Sequence, residues 1–244
     1  MHAILLAAGV GKRLSKVTGK PKCLLEFGGQ TLLDRHLDAL RTCRINKLTV
    51  CVGYQRESIE AALQDVSDIE ITIVYNPDFE LGSVVSLWTT RSAITNDEGV
   101  LLMDADVLYP YRVLTALVTG APPNCLLIDR DFTPGDEPVK ICLQDREIVE
   151  FRKHVDPALA YTSCGESLGF FKFNHSTATA LFARCGEYVR TNRQTQPHEE
   201  VLRDLILETP ENFDVVDVSG APWLEIDFPE DVERAKNEVF PRIQ

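Results

Sequence analysis

Short apolar runs alternate with amphipathic stretches through the first half of the chain: "AILLAA", "TLLDRHLDALRTC", "KLTVCVGY", "RESIEAALQDV", "EITIVY", "SLWTTRSAI" and "GVLLMDADV". In the second of these, Leu32, Leu33, His36, Leu37 and Leu40 recur at three- and four-residue spacing and so share one helical face. Apolar strands separated by helix-length segments predict a mostly parallel sheet with helices on both faces, because a parallel pairing needs a long crossover. Ligands of such sheets bind beyond the carboxyl ends of the strands. After about residue 122 the rhythm changes. "NCLLIDRDF", "PVKICLQDREIVEFRK" and "GESLGFFKF" read as strands joined by turns, followed by helices at 175–190 and 198–208, two short strands "FDVVDV" and "PWLEID", and a terminal helix opened by "FPEDVERAKNEV". The expectation is a Rossmann-like α/β fold with a mixed, mostly parallel sheet. It forms a single domain over 1–244, in which residues from about 122 to 244 are built onto the half formed by about 1–121.

Charge limits what such a fold can serve. With 25 basic against 37 acidic residues the formal charge is −12, which argues against nucleic-acid or membrane-surface partners, since phosphate backbones and anionic lipids reward positive faces. No apolar run approaches bilayer length and the first residues lack the layout of a secretory signal, so a cytoplasmic location is expected. The seven cysteines are widely spaced with no CxxC pair, which supports neither a disulfide framework nor a zinc site and marks them as small buried hydrophobes.

Against this acidic background one loop is basic. In "LLAAGVGKRLSKVTGKPK", Gly9 and Gly11 follow a strand directly, where a tight turn can aim bare N–H groups at an anion. The pattern is GxGxxR, which is neither a dinucleotide fingerprint nor a P-loop. Lys12, Arg13, Lys16, Lys20 and Lys22 can neutralise a triphosphate, with Arg13 able to fork onto phosphate oxygens; Lys16 and Lys20 equally suit a solvated surface. Farther on, "GVLLMDADVLYP" ends a strand on Asp104 and Asp106, hard oxygen ligands of the kind Mg²⁺ needs beside phosphates, although a strand-end aspartate can also cap a turn. "WLEIDFPEDVERA" carries Glu225 and Asp227 on one side of a strand, with Asp227 also placed to cap the helix at Pro229. For Asp106 and Asp227 to converge, the second half must fold back and "WLEID" must join the main sheet.

"LAAGVGKRL" followed by "GKPKCLLEFGGQTLL" resembles the N-terminal signature of nucleotidyltransferases that join a nucleoside triphosphate to a phosphorylated small molecule and release pyrophosphate. The resemblance implies the nucleotide-diphospho-sugar transferase type of fold, with a nucleotide-binding first half and an acceptor-binding second half. It also implies a loop of Leu6, Ala7, Ala8, Gly9, Gly11 and Lys12 around the triphosphate, with Arg13 and Lys22 as the catalytic charges that neutralise the phosphates during transfer. Asp106 and Asp227 are then the Mg²⁺ ligands and Asp104 a nearby support for the nucleotide. Gly82 and Ser83, in "NPDFELGSVVSLW", match a segment that recognises a pyrimidine in cytidylyltransferases, and they also serve as an ordinary helix start.

Over its length the chain is similar to bacterial cytidylyltransferases that activate phosphocholine or 2-aminoethylphosphonate, through "SVVSLW", "DADVLYP", "PGDEPVKI", "HEEVLRD" and the ending "PWLEIDFPEDVERAKNEVFPRI". The implied partners are CTP and a small phosphorylated or phosphonate acceptor. A cationic head group would favour acidic and aromatic neighbours, for which Trp88, Tyr161, Glu166, Glu199, Glu200, Trp223 and Glu225 are candidates, while Lys140 and Lys153 can steer the acceptor phosphate. Inositol- or sugar-1-phosphate nucleotidyltransferases, the molybdopterin type of guanylyltransferase and a nucleotide-sensing module that has lost its chemistry remain as alternatives. A homodimer and a monomer are both compatible with the sequence.

Overall fold

A computed structural model describes residues 1–93 and 98–243, and among these every side chain except those of Lys16 and Val17. The first half runs β1 (His2–Ala7), α1 (Ser15–Thr18), β2 (Glu26–Phe27), β3 (Gln30–Thr31), α2 (Leu32–Thr42), β4 (Lys47–Val52), α3 (Arg56–Leu63), β5 (Glu70–Tyr75), α4 (Ser83–Thr89), β6 (Val100–Asp104), β7 (Val107–Leu108) and α5 (Tyr111–Val118). The second runs β8 (Cys125–Asp129), β9 (Lys140–Gln144), β10 (Glu147–Arg152), β11 (Ser163–Phe173), α6 (His175–Arg190), α7 (His198–Glu208), β12 (Asp214–Asp217), β13 (Leu224–Glu225) and α8 (Pro229–Arg234).

Nine strands form one sheet in the order β10-β9-β11-β6-β1-β4-β5, with β8 paired to β11 and β12 to β8. β6, β1, β4 and β5 are parallel, whereas β11 runs antiparallel to β6, β8 and β9. The seam between the two halves is therefore a β-ladder, β6 to β11, inside the sheet. Alternation along β1 shows how both faces are filled: Ala3, Leu5 and Ala7 join the core under α2 and α5, while Ile4 joins the core under α4, α6 and α7. α2 starts where the sequence places it because Thr31 and Asp34 form a reciprocal cap, in which Thr31 Oγ1 accepts from the Asp34 N–H and the Asp34 carboxylate accepts from the Thr31 N–H.

The strand "WLEID" does not join the main sheet. Among the described residues β13 pairs with β7 alone, as a two-stranded antiparallel ribbon with Glu225 opposite Val107, and the Ile226 N–H donates to the Asp106 carbonyl at 2.9 Å. Burial supplies the reason: Ile226, Ala235 and Val239 form a third core with Leu14, Leu25, Phe27, Leu32 and Leu108, so the terminal segment is held against the N-terminal elements from outside the sheet. Phe240 seals this contact on Gly28, whose φ of +64° and lack of a Cβ leave space for the ring. Among the described residues no helix is long and apolar enough to cross a membrane.

Candidate active site

β1 delivers the basic loop at its carboxyl end, beside the end of β6. Among the described residues, the N–H groups of Gly9, Val10, Gly11, Lys12 and Arg13 find no backbone acceptor, which leaves a run of free donors at the strand end. Gly11 holds a φ of +57°, and a Cβ there would lie 3.0 Å from the Lys22 side chain, so this glycine both makes the turn and lets Lys22 lie beneath it.

Lys22 is the hub. Its Nζ donates to Asp106 Oδ2 at 2.8 Å and to Asp227 Oδ1. Candidate ligand oxygens of Asp106, Glu225 and Asp227 lie within 4.8 Å of one another, brought together by the β7–β13 ribbon. Asp231 sets the entry to α8 by accepting from the N–H groups of Asp227, at 3.0 Å, and of Phe228, at 2.8 Å. Gly169, with φ +74°, makes room for the neighbouring carboxylate, since a Cβ there would lie 2.4 Å from Asp104 Oδ2.

The electrostatics follow from four acids around one ammonium. Burial works against the charge on Lys22, but Asp106 and Asp227 outweigh it and raise its pKa. Burial first, and then repulsion from Asp106 and Glu199, pushes Asp104 well above the usual carboxylate range. Glu225, exposed at the meeting of the site's walls, stands beside Asp106 and Asp227 in the same cluster. Acids this crowded around a single lysine could hold a further cation, and hard, closely spaced carboxylate oxygens suit a divalent one.

Two cavities meet at this cluster, and Glu225 lines both. The first, about 310 Å³, is bounded by Leu6, Ala7, Ala8, Gly9, Gly11 and Lys22 at one end and by Phe79, Gly82, Ser83 and Ser86 at the other, with Asp104, Asp106, Lys153, His198 and Glu199 along its wall. The second, about 440 Å³, is acidic and aromatic: Asp129, Glu166, Glu225, Asp227 and Glu230 surround Trp223, Phe132 and Phe228. Trp223 Nε1 donates to Asp129 Oδ2 at 2.7 Å. Burial and then the nearby Asp129 raise the Glu166 pKa to about 7.

Arg13 reaches across between the halves, stacking on Phe228 with its guanidinium carbon 4.4 Å from the ring centre and pairing with Glu137 at 3.2 Å. Glu137 also pairs with Lys153 at 3.3 Å, so one carboxylate engages two cations at the mouth of the site. An anionic ligand of Arg13 must compete with it. These are half-exposed pairs, worth about 0–1 kcal/mol. A Glu137→Gln variant is therefore expected to tighten the binding of an anionic ligand of Arg13 by a few-fold; weaker binding would show that Glu137 positions Arg13 productively.

Most of the residues singled out from the sequence thus line the two cavities, but Lys12, Arg13, Lys20, Trp88, Lys140, Tyr161 and Glu200 do not. Trp88 packs between α4 and α6 against Gly186, and Lys140 and Tyr161 line a separate cavity. Lys140 spends its ammonium on the carbonyls of Gly135, Pro138 and Lys153. Glu200 is bound by Arg152, at 2.9 Å from its Nε. The Lys16 side chain lies outside the described residues. Gly82 is glycine for a packing reason, because a Cβ would meet the Gln196 carbonyl at 2.6 Å, and Ser83 Oγ accepts from the His198 N–H at 2.8 Å. His198, Asp129, Glu137 and Gly169 went unnoticed in the sequence. For His198 the signal was its place at the first position of α7, beside the acids that were noticed.

A glycine loop at the end of β1, a lysine beneath it and converging carboxylates between two cavities define a nucleotidyltransferase type of site. The family described as "MobA-like NTP transferase domain" matches residues 3–166, and the chain belongs to it. Its class of chemistry is nucleotidyl transfer, and the family generally works with a divalent metal ion. The chain is 24% identical to the CTP:phosphoglutamine cytidylyltransferase of Campylobacter jejuni over 96% of its length and 98% of that protein. It is 27% identical to the UTP–glucose-1-phosphate uridylyltransferase AglF of Haloferax volcanii, over 98% of this chain and 96% of that one. Among solved structures, the inositol-1-phosphate CTP transferase of T. maritima has the same fold, with a TM-score of 0.79 and 24% identity, covering 99% of this chain and 95% of that one.

Proposed function

We propose that the protein is a Mg²⁺-dependent cytidylyltransferase that moves CMP from CTP to a small phosphorylated or phosphonate acceptor with a cationic head group of the phosphocholine or aminoethylphosphonate type. The observation that carries this reading is the carboxylate cluster standing between a cavity walled by free backbone donors and a cavity lined with acids and aromatics. The first suits a triphosphate; the second suits a cation over Trp223, with Glu166 and Asp129 beside it. Residues 1–244 act as one catalytic unit in this reading, with the nucleotide on the first half and the acceptor on the second.

The N–H groups of the Gly9–Arg13 loop bind the triphosphate, and Arg13 exchanges Glu137 for phosphate oxygens. An acceptor oxygen forms a bond to the α-phosphorus while the bond to the pyrophosphate oxygen breaks, and Lys22 neutralises charge on the α-phosphate as this happens. Asp106 and Asp227, with Glu225 in reach, would hold Mg²⁺, which supplies further neutralisation of the phosphates when bound. The acceptor oxygen is already ionised near neutral pH, so the chain needs neither a nucleophile nor a general base of its own. The CTP-dependent relative from Campylobacter supports the choice of nucleotide. A second reading, a sugar-1-phosphate uridylyltransferase, draws support from the Haloferax relative.

Pyrophosphate release across the four ribonucleoside triphosphates and a panel of phosphocholine, 2-aminoethylphosphonate, inositol 1-phosphate and glucose 1-phosphate tests the choice. Release with CTP and a zwitterionic acceptor is expected; release with UTP and glucose 1-phosphate would replace this reading with the second. The pH profile gives an independent check. Because Glu166 is neutral below a pKa of about 7 and anionic above it, the KM of a cationic acceptor is expected to fall as pH rises through that value. In Glu166→Gln this part of the profile flattens, while the acceptor's own phosphate titration, common to both proteins, cancels in the ratio.

A further inference from the structure

β9 and β11 place Cys142 directly opposite Cys164, with the two sulfurs 3.5 Å apart. The ladder shows which kind of pair this is. In the same register the Ser167 N–H donates to the Val139 carbonyl, so Ser167 and Val139 form a hydrogen-bonded pair. Hydrogen-bonded and non-hydrogen-bonded pairs alternate along an antiparallel ladder, which makes Cys164–Cys142, three steps on, a non-hydrogen-bonded pair. Such pairs hold their Cα atoms at about 4.5 Å, inside the range a disulfide spans, and bring their side chains closest together.

The two thiols differ in access and in chemistry. Cys142 is buried while Cys164 is partly exposed, and neither is bonded to another cysteine. Cys142 donates its S–H toward Cys164. That hydrogen bond, helped by the Lys140 ammonium and opposed by burial, lowers the Cys164 pKa to about 7, whereas Cys23, Cys51 and Cys185 are pushed up to about 12 by burial. The outer thiol is thus the one a dissolved oxidant reaches, and the inner thiol stands next to it in reserve.

We propose that Cys142 and Cys164 are a peroxide-reactive dithiol that closes to a cross-strand disulfide. The Cys164 thiolate attacks one oxygen of hydrogen peroxide and breaks the O–O bond, giving a sulfenic acid and hydroxide, which takes up a proton to become water. Cys142 then attacks the sulfenic sulfur, loses its proton and displaces a second water. Two thiols and one peroxide give one disulfide and two waters, so the two electrons lost by sulfur reduce the peroxide. The link would join β9 to β11 two steps from Glu166 and Lys140, which face each other across the same ladder.

The full-length protein is exposed to hydrogen peroxide, alkylated and digested without reductant. A single cross-linked peptide pair containing Cys142 and Cys164 is expected, with an intact mass lower by two hydrogens, about 2 Da, and full reversal by dithiothreitol. Cys142→Ser is expected to arrest the reaction at a dimedone-trappable sulfenic acid on Cys164; Cys164→Ser abolishes cross-linking, and Cys51→Ser leaves it unchanged. Absence of the linked peptide in the wild type would overturn the proposal whatever the variants do. So would alkylation of Cys164 no faster than of Cys51 at neutral pH.

Discussion

An Asp106→Asn variant is expected to fold with nearly unchanged stability and to lose turnover by on the order of 10²–10³-fold. Asparagine is close to isosteric, so the question is one of charge. Asp106 is attracted by Lys22 at 2.8 Å and repelled by Asp227 and Glu225 in the same cluster. At an effective dielectric of about 20, a unit charge at about 4 Å counts for roughly 4 kcal/mol with either sign. Losing the aspartate charge therefore removes an attraction and repulsions of the same order, which oppose one another, so stability is expected to change far less than the loss of any one of them alone would suggest. The loss of function has no such cancellation, because in the proposed mechanism the carboxylate is a hard ligand for the cation that the other acids cannot replace at that position. Thermal unfolding and pyrophosphate release on one preparation separate the two. Near-normal turnover would remove Asp106 from the metal site, and a stability loss of several kcal/mol would mean that its pair with Lys22 holds the fold.

How much of this was legible in the sequence depended on whether the signal was local. Helices α6 and α7 begin and end where the sequence places them, at 175–190 and 198–208, since the signals that start and stop a helix lie within one segment. The glycine loop, Lys22 and both carboxylate stations were equally visible, because each is a short motif with its own chemistry. Partnership between distant segments was not. "WLEID" looks like any short strand; that it pairs with two residues of β7 and leaves the main sheet alone depends on Ile226 reaching the core of Leu25, Phe27 and Leu108. Trp88 and Lys140 looked available for a ligand, and only tertiary packing shows the ring against Gly186 and the ammonium committed to three carbonyls. The cysteines teach the same lesson from the other side. With no CxxC spacing they read as core filler, and it took the β9–β11 register to bring two of them within 3.5 Å.

Lys22→Ala is expected to behave in the opposite way to Asp106→Asn: it should lower stability and turnover together, and added divalent cation should restore only the first. Lys22 bridges Asp106 and Asp227, and its side chain is only 17% exposed. Removing it leaves acids facing one another across a site with little water to screen them. Removing one partner of a buried pair costs about 3–5 kcal/mol; with Asp106 and Asp227 partly solvated the lower end applies, or roughly 6–12 °C in Tm for a chain of this size. A divalent ion bound among the same oxygens opposes that repulsion directly. At a hundred times its dissociation constant it contributes about 2.7 kcal/mol, enough to offset most of the loss. In the proposed mechanism the ion cannot also supply the positive charge that Lys22 brings to the α-phosphate, so pyrophosphate release is expected to stay down by on the order of 10²-fold or more at saturating Mg²⁺. Recovery of both stability and turnover would make Lys22 a structural counter-ion only. An unchanged Tm without metal would mean that the carboxylates take up protons to compensate, which a fall in stability as pH rises would reveal.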